Sequence, residues 1–253
     1  MILVGDSGGM VNLGYDTTIP VTMDQMINMA QAVRRGAPDK FLVGDLPKGS
    51  YEASDEVAVA NAMRFIKEAG CDAVKLEGAG PMVRRVKAIV ESGIQAIGHI
   101  GLTPQTSAQF GGYRVVGKND QEFLDLQRNA KELENAGASL ILLEAVPESI
   151  GASLTENGNC IYMGIGAGKS VHGQLLILHD ILGLYPNFRP KFSKNFFLEA
   201  LPTFMRSLPP ANQILSYGRE TREDGFFAIT KIAVEIYIHQ VTEEIYPDQD
   251  YIY

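Results

Sequence analysis

The residues able to do chemistry gather where short apolar runs end. Asp6 and Ser7 follow Met1–Gly5, Asp45 follows Phe41–Gly44, and Glu77 follows Ala73–Leu76, with Lys75 inside that run. His99 lies in Gln95–Ile100 and Glu144 in Leu140–Val146. A lone carboxylate at a strand end often does no more than cap the next helix. Several on successive runs, with an inward lysine and histidine, are costly to bury unless they pair or bind a metal. Three of these carboxylates, with no cysteine beside them, point to a hard divalent cation. Magnesium fits, since it takes a few carboxylates, keeps waters and leaves room for substrate oxygens. A 2-oxo acid could complete its octahedron, and ligation of the keto oxygen would acidify the neighbouring C–H. Glu144 stands on a run apart from the other carboxylates and is free to titrate. A base partly desolvated near such a substrate has its pKa raised toward the working pH. The competing reading is a structural cation or a salt-bridge network.

These positions must be held by elements that alternate. After the first run, Thr22 with Gln25 forms a capping box for a helix reaching Arg35 before Gly36. Ser54–Ala69 is predicted helical, with Gly70 as its stop. Pro81–Ser92 and Asp120–Ala136 are further helices, separated by Gln95–Ile100 and a long Gly/Pro/Gln-rich loop to Asn119. Cys160–Ile165 is the sixth strand and Gly173–His179 the seventh. Strands that alternate with helices and are apolar at consecutive positions imply a parallel sheet covered on both faces. In such a barrel every strand end opens on the same side, where active sites lie.

The fold class is therefore α/β, a (β/α)8 TIM barrel whose first βα unit is missing from the chain; an open doubly wound sheet is the alternative. The domain expectation is one barrel over 1–253. Within it, residues 199–253 form a C-terminal helical extension packed on or exchanged between barrels, with Phe226–Gln240 an amphipathic helix. The 253 residues suit the roughly 250 of a single barrel. A formal net charge of -8 argues against nucleic acid. No apolar run reaches the roughly 18 residues of a membrane span, and no signal-peptide pattern opens the chain. The two cysteines, Cys71 and Cys160, read as reduced thiols of a cytoplasmic protein.

A series of motifs resembles ketopantoate hydroxymethyltransferase, in the phosphoenolpyruvate mutase/isocitrate lyase group of barrels. They are Val4-Gly5-Asp6-Ser7, GYDTTIP at 14–20, Arg34-Arg35-Gly36-Ala37-Pro38, Asp45-Leu46-Pro47 and Val74-Lys75-Leu76-Glu77-Gly78. Most specific is GHIGLTPQ at 98–105 continuing into FGGYRVVG at 110–117, with Leu143-Glu144, GIGAG at 164–168 and GQLLILHDILGL at 173–184 beyond it. The resemblance runs in order from Met1 to about Phe197. It implies transfer of a hydroxymethyl group from 5,10-methylenetetrahydrofolate to 3-methyl-2-oxobutanoate, in pantothenate biosynthesis. It further implies one magnesium per subunit held by Asp6, Asp45 and Glu77, directly or through waters. Ser7, Asp45, Lys75 and His99 would bind substrate, Glu144 would take the C3 proton, and the assembly would be a homo-oligomer, a decamer. The alternatives are a magnesium-dependent lyase or aldolase of another 2-oxo acid, and a weakly active assembly or regulatory relative.

Some residues depart from the pattern or invite a plainer reading. Gly8 replaces a leucine and is expected to loosen the loop carrying Asp6. Lys48 replaces an apolar residue and could pair near the metal or meet an anionic substrate group. The lack of a leading βα unit suggests that the natural product carries one upstream. GIGAG reads as tight-turn packing, and His179-Asp180 as a buried pair in the seventh strand.

Overall fold

The computed structural model describes residues 1–186, 188–207 and 220–253, with side chains from 225 onward in the last stretch. It divides into two compact units, Met1–Gly173 with Tyr253, and Gln174–Ile252. Residues 208–219 of the expected C-terminal extension lie outside the described residues.

The strands are β1 (Ile2–Val4), β2 (Leu42–Asp45), β3 (Ala73–Glu77), β4 (Gln95–Gly101), β5 (Leu140–Glu144), β6 (Ile161–Ile165) and β7 (Gly173–Gln174). They form one sheet in the order β1-β2-β3-β4-β5-β6-β7, and the pairs from β1 to β6 are parallel. A doubly wound sheet reverses its strand order at a switch point. No reversal occurs here, so among the described residues the chain is a curled, parallel α/β sheet, as in a TIM-type barrel lacking a unit.

Both faces of the sheet are buried, and they differ. Leu42, Val74, Leu76, Ala96, Ile100, Ile141 and Leu143 join the large core with the helices. The opposite face starts apolar, with Val43, Ala73, Ile97 and Leu140 packed together against Leu3 and Met163. Two residues further along the same face come Asp45, Lys75, His99 and Leu142, then Glu77 and Glu144. The period of two along a strand thus puts a greasy floor beneath a charged layer. Register aligns that layer: Asp45 pairs Lys75, Glu77 pairs His99, and Glu144 pairs Gly101.

The helices of this unit are α1 (Gly8–Val11), α2 (Met23–Gly36), α3 (Asp55–Ala69), α4 (Val83–Glu91), α5 (Asp120–Asn135) and α6 (Glu148–Asn157). The Thr22–Gln25 capping box closes both ways. Ser54 and Asn119 cap α3 and α5 by accepting the N–H of Val57 and Glu122. Gly70 ends α3 in the left-handed conformation.

The second unit holds α7 (Leu178–Leu182), α8 (Phe196–Ser207) and α9 (Glu220–Thr242). Its core is Ile181, Leu182, Phe196, Ala200, Ala233 and Tyr246. The expected seventh strand Gly173–His179 is corrected here: only Gly173–Gln174 is strand, and His179-Asp180 lie in α7. Gly183 at φ 65° terminates that turn of helix, and a consecutive apolar run does not by itself separate strand from buried helix.

Candidate active site

The charged layer is a closed network at the ends of β2, β3 and β4. Lys75 Nζ lies 3.0 Å from Asp45 Oδ1, 3.4 Å from Glu77 Oε1 and 3.2 Å from His99 Nδ1. An ammonium has no lone pair to offer, so Nδ1 must accept from it. The neutral imidazole therefore carries its proton on Nε2, which faces Glu144 Oε2 at 3.2 Å without forming an aligned hydrogen bond. Asp6 joins from the turn after β1, where its N–H donates to Asp45 Oδ2 at 3.1 Å. Ser7 follows at the start of α1 with its hydroxyl making no capping hydrogen bond.

Two residues that sequence reasoning left without a role hold this network. Gln105 donates its side-chain N–H to Asp6 Oδ2 at 2.8 Å and to the Leu46 carbonyl at 3.0 Å. Its backbone N–H donates to Glu77 Oε2 at 3.0 Å, and its Oε1 accepts from the Tyr51 hydroxyl at 2.7 Å. Tyr51 also receives the Glu77 N–H. Gln105 closes GHIGLTPQ, so the motif was a signal for it. Tyr51 had none, being an aromatic in a loop.

Burial sets the electrostatics. Asp45 and Glu77 are pushed above the usual carboxylate range by desolvation, which the Lys75 charge opposes. Desolvation works against the Lys75 ammonium, but Asp45, Glu77 and Asp6 outweigh it and hold the lysine above its ordinary value. His99 is pushed down to about 3 by burial and by Lys75, in keeping with a neutral ring. Glu144 is pushed up to about 8 by burial, with Lys75 pulling the other way. Its side chain keeps 14% exposure, against 4% or less for Lys75, Asp45, Glu77 and His99. Of the charged layer, Glu144 is thus the carboxylate a substrate can reach.

The backbone around Glu144 is tightly determined. Ala145 adopts φ 48°, a left-handed conformation that costs a non-glycine residue about 1 kcal/mol or more. It is held there by hydrogen bonds from its N–H to the Ile165 carbonyl and from the Val116 N–H to its own carbonyl. Gly101, at φ 94°, passes so close that a Cβ would stand 2.2 Å from the Glu144 carbonyl oxygen. Leu102 N–H donates to that same oxygen at 2.8 Å.

Asp6, Asp45 and Glu77 share this patch, yet among the described residues no three His, Cys, Asp or Glu side chains are grouped to hold an ion directly. Lys75 stands between Asp45 and Glu77, and Glu77 Oε2 is taken by the Gln105 N–H. Asp45 Oδ1 meets the Lys75 ammonium at 3.0 Å, and the ligand atoms on offer are all carboxylate oxygens. That chemistry fits magnesium, which needs only one or two carboxylates and retains its waters.

The departures acquire partners. Lys48 Nζ lies 3.0 Å from Glu52 Oε1, away from the network. Gly8 begins α1, and a Cβ there would come within 2.8 Å of Met29 Sδ. In GIGAG, a Cβ on Gly168 would stand 2.3 Å from Glu148 Cγ, and Ala167 presses its carbonyl on Gly151 of α6. This run packs the turn against a helix. No described helix is long and apolar enough to cross a membrane.

Comparison with known proteins agrees with the motifs. The family profile described as ketopantoate hydroxymethyltransferase matches residues 1–207. The 3-methyl-2-oxobutanoate hydroxymethyltransferase of Desulfotalea psychrophila is 50% identical over 196 residues, covering 78% of this chain and 70% of that protein. The enzyme of that name from Heliobacterium modesticaldum is 49% identical over 196 residues, covering 78% and 71%. That from Thermotoga maritima is 49% identical over 214 residues, covering 82% and 79%. With its charged layer and its motifs inside the matched region, the chain belongs to the ketopantoate hydroxymethyltransferase family.

Proposed function

We propose that this protein is a cytoplasmic 3-methyl-2-oxobutanoate hydroxymethyltransferase. It moves a one-carbon unit from 5,10-methylenetetrahydrofolate to C3 of the 2-oxo acid and yields 2-dehydropantoate, toward pantothenate. The observation that carries this reading is Glu144: an accessible carboxylate, pushed up to about 8, facing His99 Nε2 at the rim of a buried Lys–Asp–Glu network. A base of that strength is suited to a weakly acidic C–H at neutral pH.

In this mechanism Ser7, Lys75, Asp45 and His99 bind and orient the carboxylate and keto groups of the substrate. The Lys75 ammonium and the His99 N–H offer donors fixed before the substrate arrives. Glu144 takes the C3 proton. C3 then bonds to the methylene carbon as one of its two carbon–nitrogen bonds to the folate breaks; water displaces the second nitrogen and supplies the hydroxyl oxygen, and the proton from C3 and one from that water go to the two released folate nitrogens. Asp6, Asp45 and Glu77 would hold one magnesium per subunit, directly or through its waters. Such an ion supplies Lewis-acid stabilisation of charge on the keto oxygen. Glu144 is held apart from these carboxylates by His99. The assembly is a homo-oligomer, decameric by the resemblance.

The lyase or aldolase reading rested on Lys48 and Gly8, which pair with Glu52 and pack on Met29. The test is exchange in heavy water with magnesium and 3-methyl-2-oxobutanoate. Deuterium should enter C3 without folate, and product should form only with folate. Absence of exchange would overturn the substrate assignment; exchange without folate-dependent product would favour the lyase.

A further inference from the structure

Gln105 lies among the carboxylates that the proposed function gives to magnesium, and its amide has one orientation. The Leu46 carbonyl has no proton to give, so the atom 3.0 Å from it must be Nε2, which also donates to Asp6 Oδ2 at 2.8 Å. Oε1 is left to the Tyr51 hydroxyl at 2.7 Å. That hydroxyl stands farther, at 3.3 Å, from the Glu77 carbonyl, so its single proton goes to Gln105. Gln105 is 3% exposed and Tyr51 1%, and no water competes for these contacts from bulk solvent.

Each of the three carboxylates has an oxygen set against a donor. Asp45 Oδ2 takes the Asp6 N–H at 3.1 Å, and its Oδ1 faces the Lys75 ammonium at 3.0 Å. Glu77 Oε2 takes the Gln105 backbone N–H at 3.0 Å. A backbone N–H persists whatever side chain follows it. At Asp6 the donor is the Gln105 side chain, so there the residue type decides. A hydrogen aimed at a carboxylate oxygen carries positive charge and opposes a cation at that same oxygen. Magnesium tolerates this, because it needs only one or two carboxylates and completes its octahedron with water. Calcium takes about six to eight oxygens and commonly grips both oxygens of a carboxylate.

We infer that Gln105 is a positioning residue that tunes the cation site toward magnesium and against calcium. Its side chain engages Asp6 Oδ2, so that Asp6 serves a cation through its other oxygen, and Tyr51 fixes the amide that does so. This role rests on the reading of Asp6, Asp45 and Glu77 as the magnesium carboxylates.

The experiment is calorimetric titration of the full chain with magnesium chloride and with calcium chloride, for the natural sequence, Gln105→Met, Tyr51→Phe and Asp6→Asn. The natural sequence should bind magnesium more tightly than calcium. Gln105→Met should weaken magnesium about tenfold or more, as loss of a group that orients a ligand does. Calcium should hold its affinity, because Asp6 Oδ2 becomes available, and the preference should therefore shrink about tenfold. Tyr51→Phe, which keeps the amide and removes its donor, should move the preference the same way by less. An unchanged preference in Gln105→Met, or an equal loss of both ions, would overturn the role. If circular dichroism shows Gln105→Met unfolded, an unchanged preference in Tyr51→Phe overturns it. Should the natural sequence bind no magnesium, or Asp6→Asn bind it equally well, the reading of the carboxylates has failed instead.

Discussion

The charged layer contains two kinds of carboxylate. Asp45 and Glu77 are locked: each touches Lys75, each takes a backbone N–H, and both are sealed from solvent. Glu144 faces one imidazole N–H without an aligned hydrogen bond and keeps part of its surface open. The same residue type therefore serves two ends, decided by how many donors surround it. Desolvation raises the proton affinity of all three, but Asp45 and Glu77 are sealed around Lys75 as a scaffold, while Glu144 keeps a surface at which a proton can be taken.

The strongest way to break this contrast is to neutralise the under-engaged member. Glu144→Gln should lower turnover about 10²–10⁴-fold, the range for loss of a positioned base. Unfolding should change little and magnesium affinity should survive, as titration calorimetry can show. Loss of folding would mean that Glu144 belongs with the locked set. The reverse experiment is Lys75→Met, which strands Asp45 and Glu77 as buried charges without their partner. It should cost about 3–5 kcal/mol of stability, read by urea denaturation. A loss under 1 kcal/mol would show that the network is not what holds these carboxylates.

Acidity sharpens the comparison further. Between about 4.5 and about 8, the native state keeps a proton on Glu144 that the unfolded chain has released. This group's contribution to stability is complete below about 4.5 and is lost as pH climbs through about 8. Activity runs the other way: the base must be ionised, so kcat/KM should rise about tenfold per unit below about 8 and then level off. Glu144→Gln should abolish the stability slope in that window. The smallest effect is expected at Ala145→Gly. Relieving a left-handed alanine should raise stability by about 1 kcal/mol while loosening the base, so that kcat falls a few-fold. A faster variant would argue against the tight presentation of Glu144.

What could be read in advance was whatever is local or periodic. The caps at Thr22, Ser54 and Asn119 lie three residues from their partners, so adjacent sequence decides them. The strand ends Asp45, Glu77 and Glu144 were legible because an apolar run of strand length must stop where a charge appears. The helix α6 was missed because ESIGASLTEN carries no strong apolar stripe, and α7 was taken for strand because its run is apolar on every side.

By itself, then, the sequence determined the alternating elements, the parallel sheet and the identity of the residues at its functional end. Tertiary structure decided their relations. Gln105 meets Asp6 across 99 positions, Tyr51 meets Gln105 across 54, and Lys75 reaches His99 across 24. Register and burial, which no short window of residues contains, made Asp45 and Glu77 a lysine-locked pair. The same factors left Glu144 raised and reachable.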